Sequence, residues 1–284
     1  MAANFDRVFP FRGWDKDATP VKWQMVPVSA TDNRYLYLHD GTGLTVSSNN
    51  AAVTVTEIRL ADLPGDWDKR PALAGDRVFK LRGASKGTAR IQAKNAASTV
   101  ITEIEASTKN KLTKKVTFYF VRDTATPPHR TTRAPAEAAE WVRVLNYIFR
   151  QANIEIVSPA GTRLTFAGTL GNPLRWVNGT TDDWAKLRGV RDAGADHTFF
   201  QIWEYEQPSA PNTTTGAGTL AVDKMTVCDN RTPAVHSHVI AHELGHAFGL
   251  PDISTAGSQH HIMWHMTNMS GQHLSKAEVD LMNP

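Results

Sequence analysis

Two histidines four residues apart with a glutamate directly after the first, His242, Glu243 and His246 in VIAHELGHAFGLPD, are the residues of this chain best placed to do chemistry. On a helix, residues at i and i+4 lie one above the other on one face, so two imidazoles at this spacing can offer nitrogen atoms to a single metal ion. Glu243 then stands beside the ion, where a carboxylate can act as general base for a bound water. Gly249 and Asp252 follow, and Asp252 adds a carboxylate. Two histidines and one carboxylate make three ligands and leave a fourth tetrahedral position for water, the pattern of catalytic rather than structural zinc. The bland alternative is a buried helix whose histidines satisfy ordinary hydrogen bonds. It would leave a glutamate between two histidines among apolar and small residues, which burial penalises unless the charges have a partner.

The flanking sequence supplies what such a helix needs. Thr232 suits an N-cap, Pro233 suits the first helical position where no amide donor is required, and Val235, Val239 and Ile240 face a core. Gly249 stops the helix, since a glycine past the last turn can adopt the left-handed conformation that reverses the chain and brings Asp252 toward the same ion. Glu278, His260 and His261 compete with Asp252 as third ligand. Asp252 is preferred because the glycine turn delivers it directly, whereas Glu278 is also the third helical residue of a capping box opened by Ser275. His236 and His238, upstream on the same helix, are expected at the surface or behind the ligands, with His238 on the face of His242.

HELGHAFGLPD resembles the extended zinc signature of the metzincin metallopeptidases, HExxHxxGxxH followed by a Met-turn. The likeness covers roughly residues 136 to 284. It implies a zinc-dependent endopeptidase that cuts protein or peptide substrates, with Zn2+ held by His242, His246 and Asp252 and with Glu243 as general base. Asp252 stands where most metzincins carry histidine, as in the small snapalysin-like branch. Within HHIMWHMTNMS the resemblance assigns Met263 to the Met-turn, an apolar floor beneath the zinc, ahead of Met266 and Met269. Several metzincins place a tyrosine two residues after that methionine to stabilise the transition state; this chain has His265 there, which implies that His265 donates to the developing oxyanion.

Before that region the periodicity changes. Runs such as YLYL (35–38), VTVTEI (53–58), VFKL (78–81), ARIQA (89–93), STVITEIEA (98–106) and KVTFYFV (115–121) alternate or are β-branched, and glycine-containing or polar segments separate them. About seven short strands at this spacing suggest a β-sandwich. The cadence of VFKLRGASKGTARIQAK with a final KKVTFYFV also resembles bacterial immunoglobulin-like modules. The expected architecture is therefore two domains: an all-β immunoglobulin-like sandwich over residues 1–125, a Pro- and Thr-rich linker at 126–136, and an α+β metzincin-like domain at 137–284. In the latter, Ala138, Trp141, Val142, Leu145, Ile148 and Phe149 form the stripe of an amphipathic helix. NIEIVSP, TRLTF, HTFFQIWEYE and TLAVDKMTVC predict strands. KNKLTKK reads as the solvated tip of a hairpin between two strands.

Composition sets the outer bounds. With 41% hydrophobic and 21% charged residues over 284 positions, the chain has the makings of a folded protein of two domains. A formal net charge of only +3, spread along the sequence, gives no indication of a nucleic-acid surface. Cys228 is the sole cysteine, so no intrachain disulfide can form; in its strand-like run it reads as a small buried hydrophobe. The first residues lack the apolar core of a signal peptide, and no stretch is long and apolar enough to span a bilayer. The pairing of module and protease points to a secreted bacterial protein or toxin effector acting outside the producing cell, with a surface or secretion-machinery partner engaged through the N-terminal module; a cytoplasmic location is the alternative. Two other classes stay open: a hydrolase of cell-wall amide bonds, and an immunoglobulin-like binding protein with an inert or structural metal site.

Overall fold

The computed structural model describes residues 3–8, 13–65, 75–175, 183–190, 194–206, 216–217, 223–229, 233–264 and 271–284. The chain folds as two compact units. One comprises Met1–Leu112, Arg150–Ile154 and His273–Pro284, and the other Thr113–Phe149 and Glu155–Gln272.

The first unit carries β1 (Asn4–Arg7), β2 (Trp14–Asp15), β3 (Trp23–Pro27), β4 (Arg34–His39), β5 (Thr45–Ser48), β6 (Val53–Ile58), β7 (Arg77–Gly83), β8 (Gly87–Lys94) and β9 (Val100–Lys109). They form a four-stranded sheet in the order β1-β4-β7-β6 and a five-stranded sheet in the order β2-β3-β9-β8-β5. Period-two patterning explains both: in β8, Ala89, Ile91 and Ala93 are buried while the residues between them are not. These residues pack with Phe5, Leu36, Leu38, Phe79, Leu81 and Ile104 in one core that draws on both sheets.

This unit is not the all-β immunoglobulin-like domain expected from the sequence. The described residues are mixed α/β, with several sheets and few helices. Arg150–Ile154 and the C-terminal helix Lys276–Met282 are part of the first unit. The Lys276 amide donates to Asp15 at 2.9 Å, and Asn283 Nδ2 donates to the carbonyls of Asn110 and Ala152 at 2.9 and 2.7 Å. KVTFYFV, expected as the last strand of the sandwich, belongs to the other unit's sheet. The physical reason is that strand periodicity reports which face is buried and says nothing about which sheet a strand joins. The hairpin expected at KNKLTKK fails for the same reason, since β9 and the strand after it lie in different sheets. Lys109 is buried and paired with Asp280 at 2.7 Å.

The second unit contains β10 (Leu112–Arg122), α1 (Ala138–Phe149), β11 (Ile154–Val157), β12 (Thr162–Thr165), β13 (Leu174–Arg175), α2 (Asp183–Arg188), β14 (His197–Ile202), β15 (Tyr205–Glu206), β16 (Gly216–Ala217), β17 (Lys224–Cys228) and α3 (Pro233–Ala247). Its main sheet runs β11-β10-β14-β17-β16, with β12 also on β10. β10, β14 and β17 are parallel, and β16 is antiparallel to β17. Every residue of β14 is buried, as a strand covered on both faces requires. On one face Trp141 of α1 packs against Phe118 and Phe120 at centroid distances of 5.4 and 5.3 Å. The predicted stripe of α1 is buried at Ala138, Trp141, Leu145, Ile148 and Phe149. A separate apolar cluster gathers Val121, Leu174, Leu187, Phe200, Ile202 and Cys228. Among the described residues, no helix is long and apolar enough to cross a membrane.

Candidate metal centre

α3 holds His242, Glu243 and His246. The N-cap expected at Thr232 lies outside the described residues. At the other end the helix closes as a Schellman motif. The Gly249 amide donates to His246 O at 2.9 Å and the Leu250 amide to Gly245 O at 3.0 Å, with Gly249 at φ 89°. That positive φ is the conformation for which a glycine was expected here.

The reversal places Asp252 against both imidazoles. Asp252 Oδ1 lies 3.1 Å from His242 Nε2 and 3.5 Å from His246 Nε2. One ligand atom from each of the three side chains falls within 4.8 Å of the others, so these groups could share one metal ion. His242 is buried and His246 half-buried, whereas the Asp252 side chain is 55% exposed, which leaves the centre open on the carboxylate side.

Backbone carbonyls orient both rings. His242 Nδ1 donates to Ile262 O at 3.0 Å, and His246 Nδ1 donates to Leu250 O at 2.8 Å. A carbonyl can only accept, so each Nδ1 carries a proton, and Nε2 is the nitrogen that each ring turns toward Asp252 and could offer to a metal ion. The donor set fits a zinc ion: two imidazole nitrogens and a carboxylate, with the rings fixed from behind. Burial opposes charge on His242, yet Asp252, Glu243 and the Ile262 carbonyl together raise its pKa; burial, then the charge of His242, lower that of His246.

Met263 is fully buried and sits against Gly245, the residue just before His246 on the helix. The Ile253 amide donates to Met263 O at 2.8 Å, and Ile253 bridges Trp264 in a parallel pairing. The segment that delivers Asp252 and the segment that carries Met263 are thus hydrogen-bonded to each other. Glu243, 5% exposed, lies on the inward side of α3 near Cys228, whose thiol is pushed up by burial and by the carboxylates of Asp229, Glu204 and Glu243. Cys228 is a buried free cysteine, as its strand context suggested.

His265, Met266 and Met269 lie outside the described residues. Glu278 closes the capping box with Ser275, receiving the Ser275 amide at 2.7 Å. The rings of His260 and His261 lie tilted against each other at 51°, with centroids 4.4 Å apart. His238 is half-buried, with Nε2 3.1 Å from Gln272 Nε2, while His236 is fully buried. A cavity of about 420 Å³ lined by Lys115, Thr117, Val157, Ser158, Pro159 and Gly194 shares no residue with the centre. Sequence reading missed the carbonyls of Leu250 and Ile262, because a backbone group leaves no mark in residue type.

No family model matches the chain, and no curated protein matches it either. Among solved structures it is similar to archaemetzincin from Methanopyrus kandleri, with 14% identity over 61% of this chain and 87% of that one at a TM-score of 0.38. It is also similar to metalloproteinase-II from Bacteroides fragilis, with 9% identity over 92% and 84% of the two chains at a TM-score of 0.40. A third structure, of a chaperone–substrate complex, is similar over 72% of this chain and 37% of that one, at 12% identity and a TM-score of 0.38. At this level of likeness, the chemistry of the centre rests on its own residues.

Proposed function

We propose that this protein is a zinc-dependent endopeptidase whose centre is His242, His246 and Asp252 with Glu243 as general base. The observation that carries the reading is the convergence of two Nε2 atoms and one carboxylate within 4.8 Å, beside a glutamate on the same helix. A bound zinc would lower the pKa of a coordinated water to about 7 and polarise a carbonyl. Asp252, on the open side, leaves room for an extended peptide to approach.

Glu243 accepts the proton of the attacking water and passes it to the nitrogen of the leaving amine. Its burial suits this role, because a carboxylate held away from bulk water is a better base for a water in the same pocket. Met263, packed against Gly245, keeps the floor of the centre apolar and stiff. His265 is proposed, from the metzincin resemblance alone, as the donor to the oxyanion.

The deciding experiment pairs metal analysis with cleavage of an unfolded protein and of peptidoglycan, with and without a chelator. The expected result is about one zinc per chain and chelator-sensitive cleavage of the unfolded protein. Activity confined to peptidoglycan would reassign the protein to cell-wall amide hydrolysis. Absence of both metal and hydrolysis would leave a binding protein.

A further inference from the structure

Six residues before the first ligand, α3 carries a histidine that the chemistry above does not use. His236 is 0% exposed, its ring 5.1 Å from that of Trp141. Spacings of four, three and four residues put His236, Ile240, Glu243 and Ala247 on one helix face, and that face is buried throughout at 0, 1, 5 and 8% exposure. His236 and the proposed base therefore share a side of the helix, two turns apart.

A chain of hydrogen bonds fixes which way His236 faces. Asp229, just after β17, accepts from Thr131 Oγ1 at 2.6 Å, from the Thr132 amide at 2.5 Å and from Thr132 Oγ1 at 3.0 Å. It also accepts from Gln201 Nε2 at 2.9 Å. A carboxylate only accepts, so the Gln201 amide nitrogen must point to Asp229 and its carbonyl oxygen to His236, 2.7 Å from Nε2. That oxygen also only accepts, so Nε2 carries the proton. Burial, then the charge of Arg133, pushes the His236 pKa down to about 3, and its Nδ1 has no hydrogen-bond partner among the described residues. The ring is thus held neutral, in one tautomer, by a carboxylate acting through one amide.

We propose that His236 is a positioning residue: the Asp229–Gln201 relay grips its Nε2–H and sets the rotation of α3 about its own axis, which aims Glu243 and His242. This rests on the reading of α3 as the helix of a hydrolytic zinc centre. At a side-chain radius of roughly 5–6 Å, a rotation of about 10° moves a carboxylate by about 1 Å. A misplacement of that size costs about 100-fold in rate.

The test uses the whole 284-residue chain supplied with zinc, its His236→Phe variant, which keeps a ring against Trp141 but cannot donate, and His236→Gln, which can. In the wild type, nitrogen NMR of His236 is expected to show the Nε2–H tautomer at neutral pH. In His236→Phe, kcat on an unfolded protein is expected to fall about 100-fold, KM to change less than about twofold and the zinc Kd to rise about tenfold. His236→Gln should recover most of both losses. An Nδ1–H or doubly protonated ring, or a folded His236→Phe with unchanged kcat and unchanged Kd, overturns the proposal. Should His236→Phe not fold, Asp229→Asn takes its place, and an unaltered tautomer with unaltered kcat in that variant overturns the proposal equally. A wild type that binds zinc but cleaves no peptide bond defeats the functional reading alone, because the tautomer and the zinc Kd still decide the role of His236.

Discussion

Met263 lies so close to Gly245 that a β-carbon on Gly245 would collide with its sulfur. Gly245 sits between Glu243 and His246, and the Met263 carbonyl accepts the Ile253 amide one residue beyond Asp252. Met263 thus ties the helix to the segment that carries Asp252. Gly245→Ala should consequently cost about 1–3 kcal/mol by overpacking, although alanine is the better helix former. Thermal unfolding of the variant checks this, and a gain in stability would show that Met263 can move aside without cost.

Glu243→Gln removes the base and leaves the three ligands in place. Zinc content should be unchanged while kcat falls by about 10²- to 10⁴-fold. Metal analysis and turnover on the same preparation test both halves, and activity near the wild-type value would remove Glu243 from the mechanism.

Asp252→Ala should weaken zinc binding more than it disturbs folding, because its side chain is 55% exposed and contributes little to the core. A competition titration with a chromogenic chelator reads the affinity, and a melting curve without metal reads the fold. His242→Ala, by contrast, removes a buried side chain and should harm both. Full zinc affinity in Asp252→Ala would mean that another side chain completes the centre.

Asp123 gives a prediction independent of the metal. Burial by itself would raise its pKa, but the amides of Leu170, His129 and Ala125, with the His129 ring at 2.9 Å, hold the carboxyl below the usual value. A depressed folded pKa contributes stability that is full above the unfolded value of about 3.9 and is lost as pH falls through the folded one. Asp123→Asn should thus be less stable by about 1.5–3 kcal/mol at pH 7, and the gap should begin to narrow as pH falls below about 4. Denaturant titrations at pH 7 and pH 3 measure it.

What residue order determined by itself was local. The HExxH spacing, the glycine two residues past the end of α3 and the aspartate three residues beyond that glycine specify a helix, its stop and a chain reversal, each governed by interactions within a few residues. The stripe of α1, the capping box at Ser275 and the strands about 35–38, 53–58, 78–81 and 89–93 were legible for the same reason. Only tertiary structure decided which sheet received KVTFYFV, that Lys109 is buried against Asp280, and that 150–154 and the C-terminal helix join the first unit, since sheet membership depends on partners distant in sequence. It also supplied what holds the centre still. The Leu250 and Ile262 carbonyls behind the imidazoles, and the Asp229–Gln201 relay behind His236, join backbone or side-chain groups that no spacing rule connects.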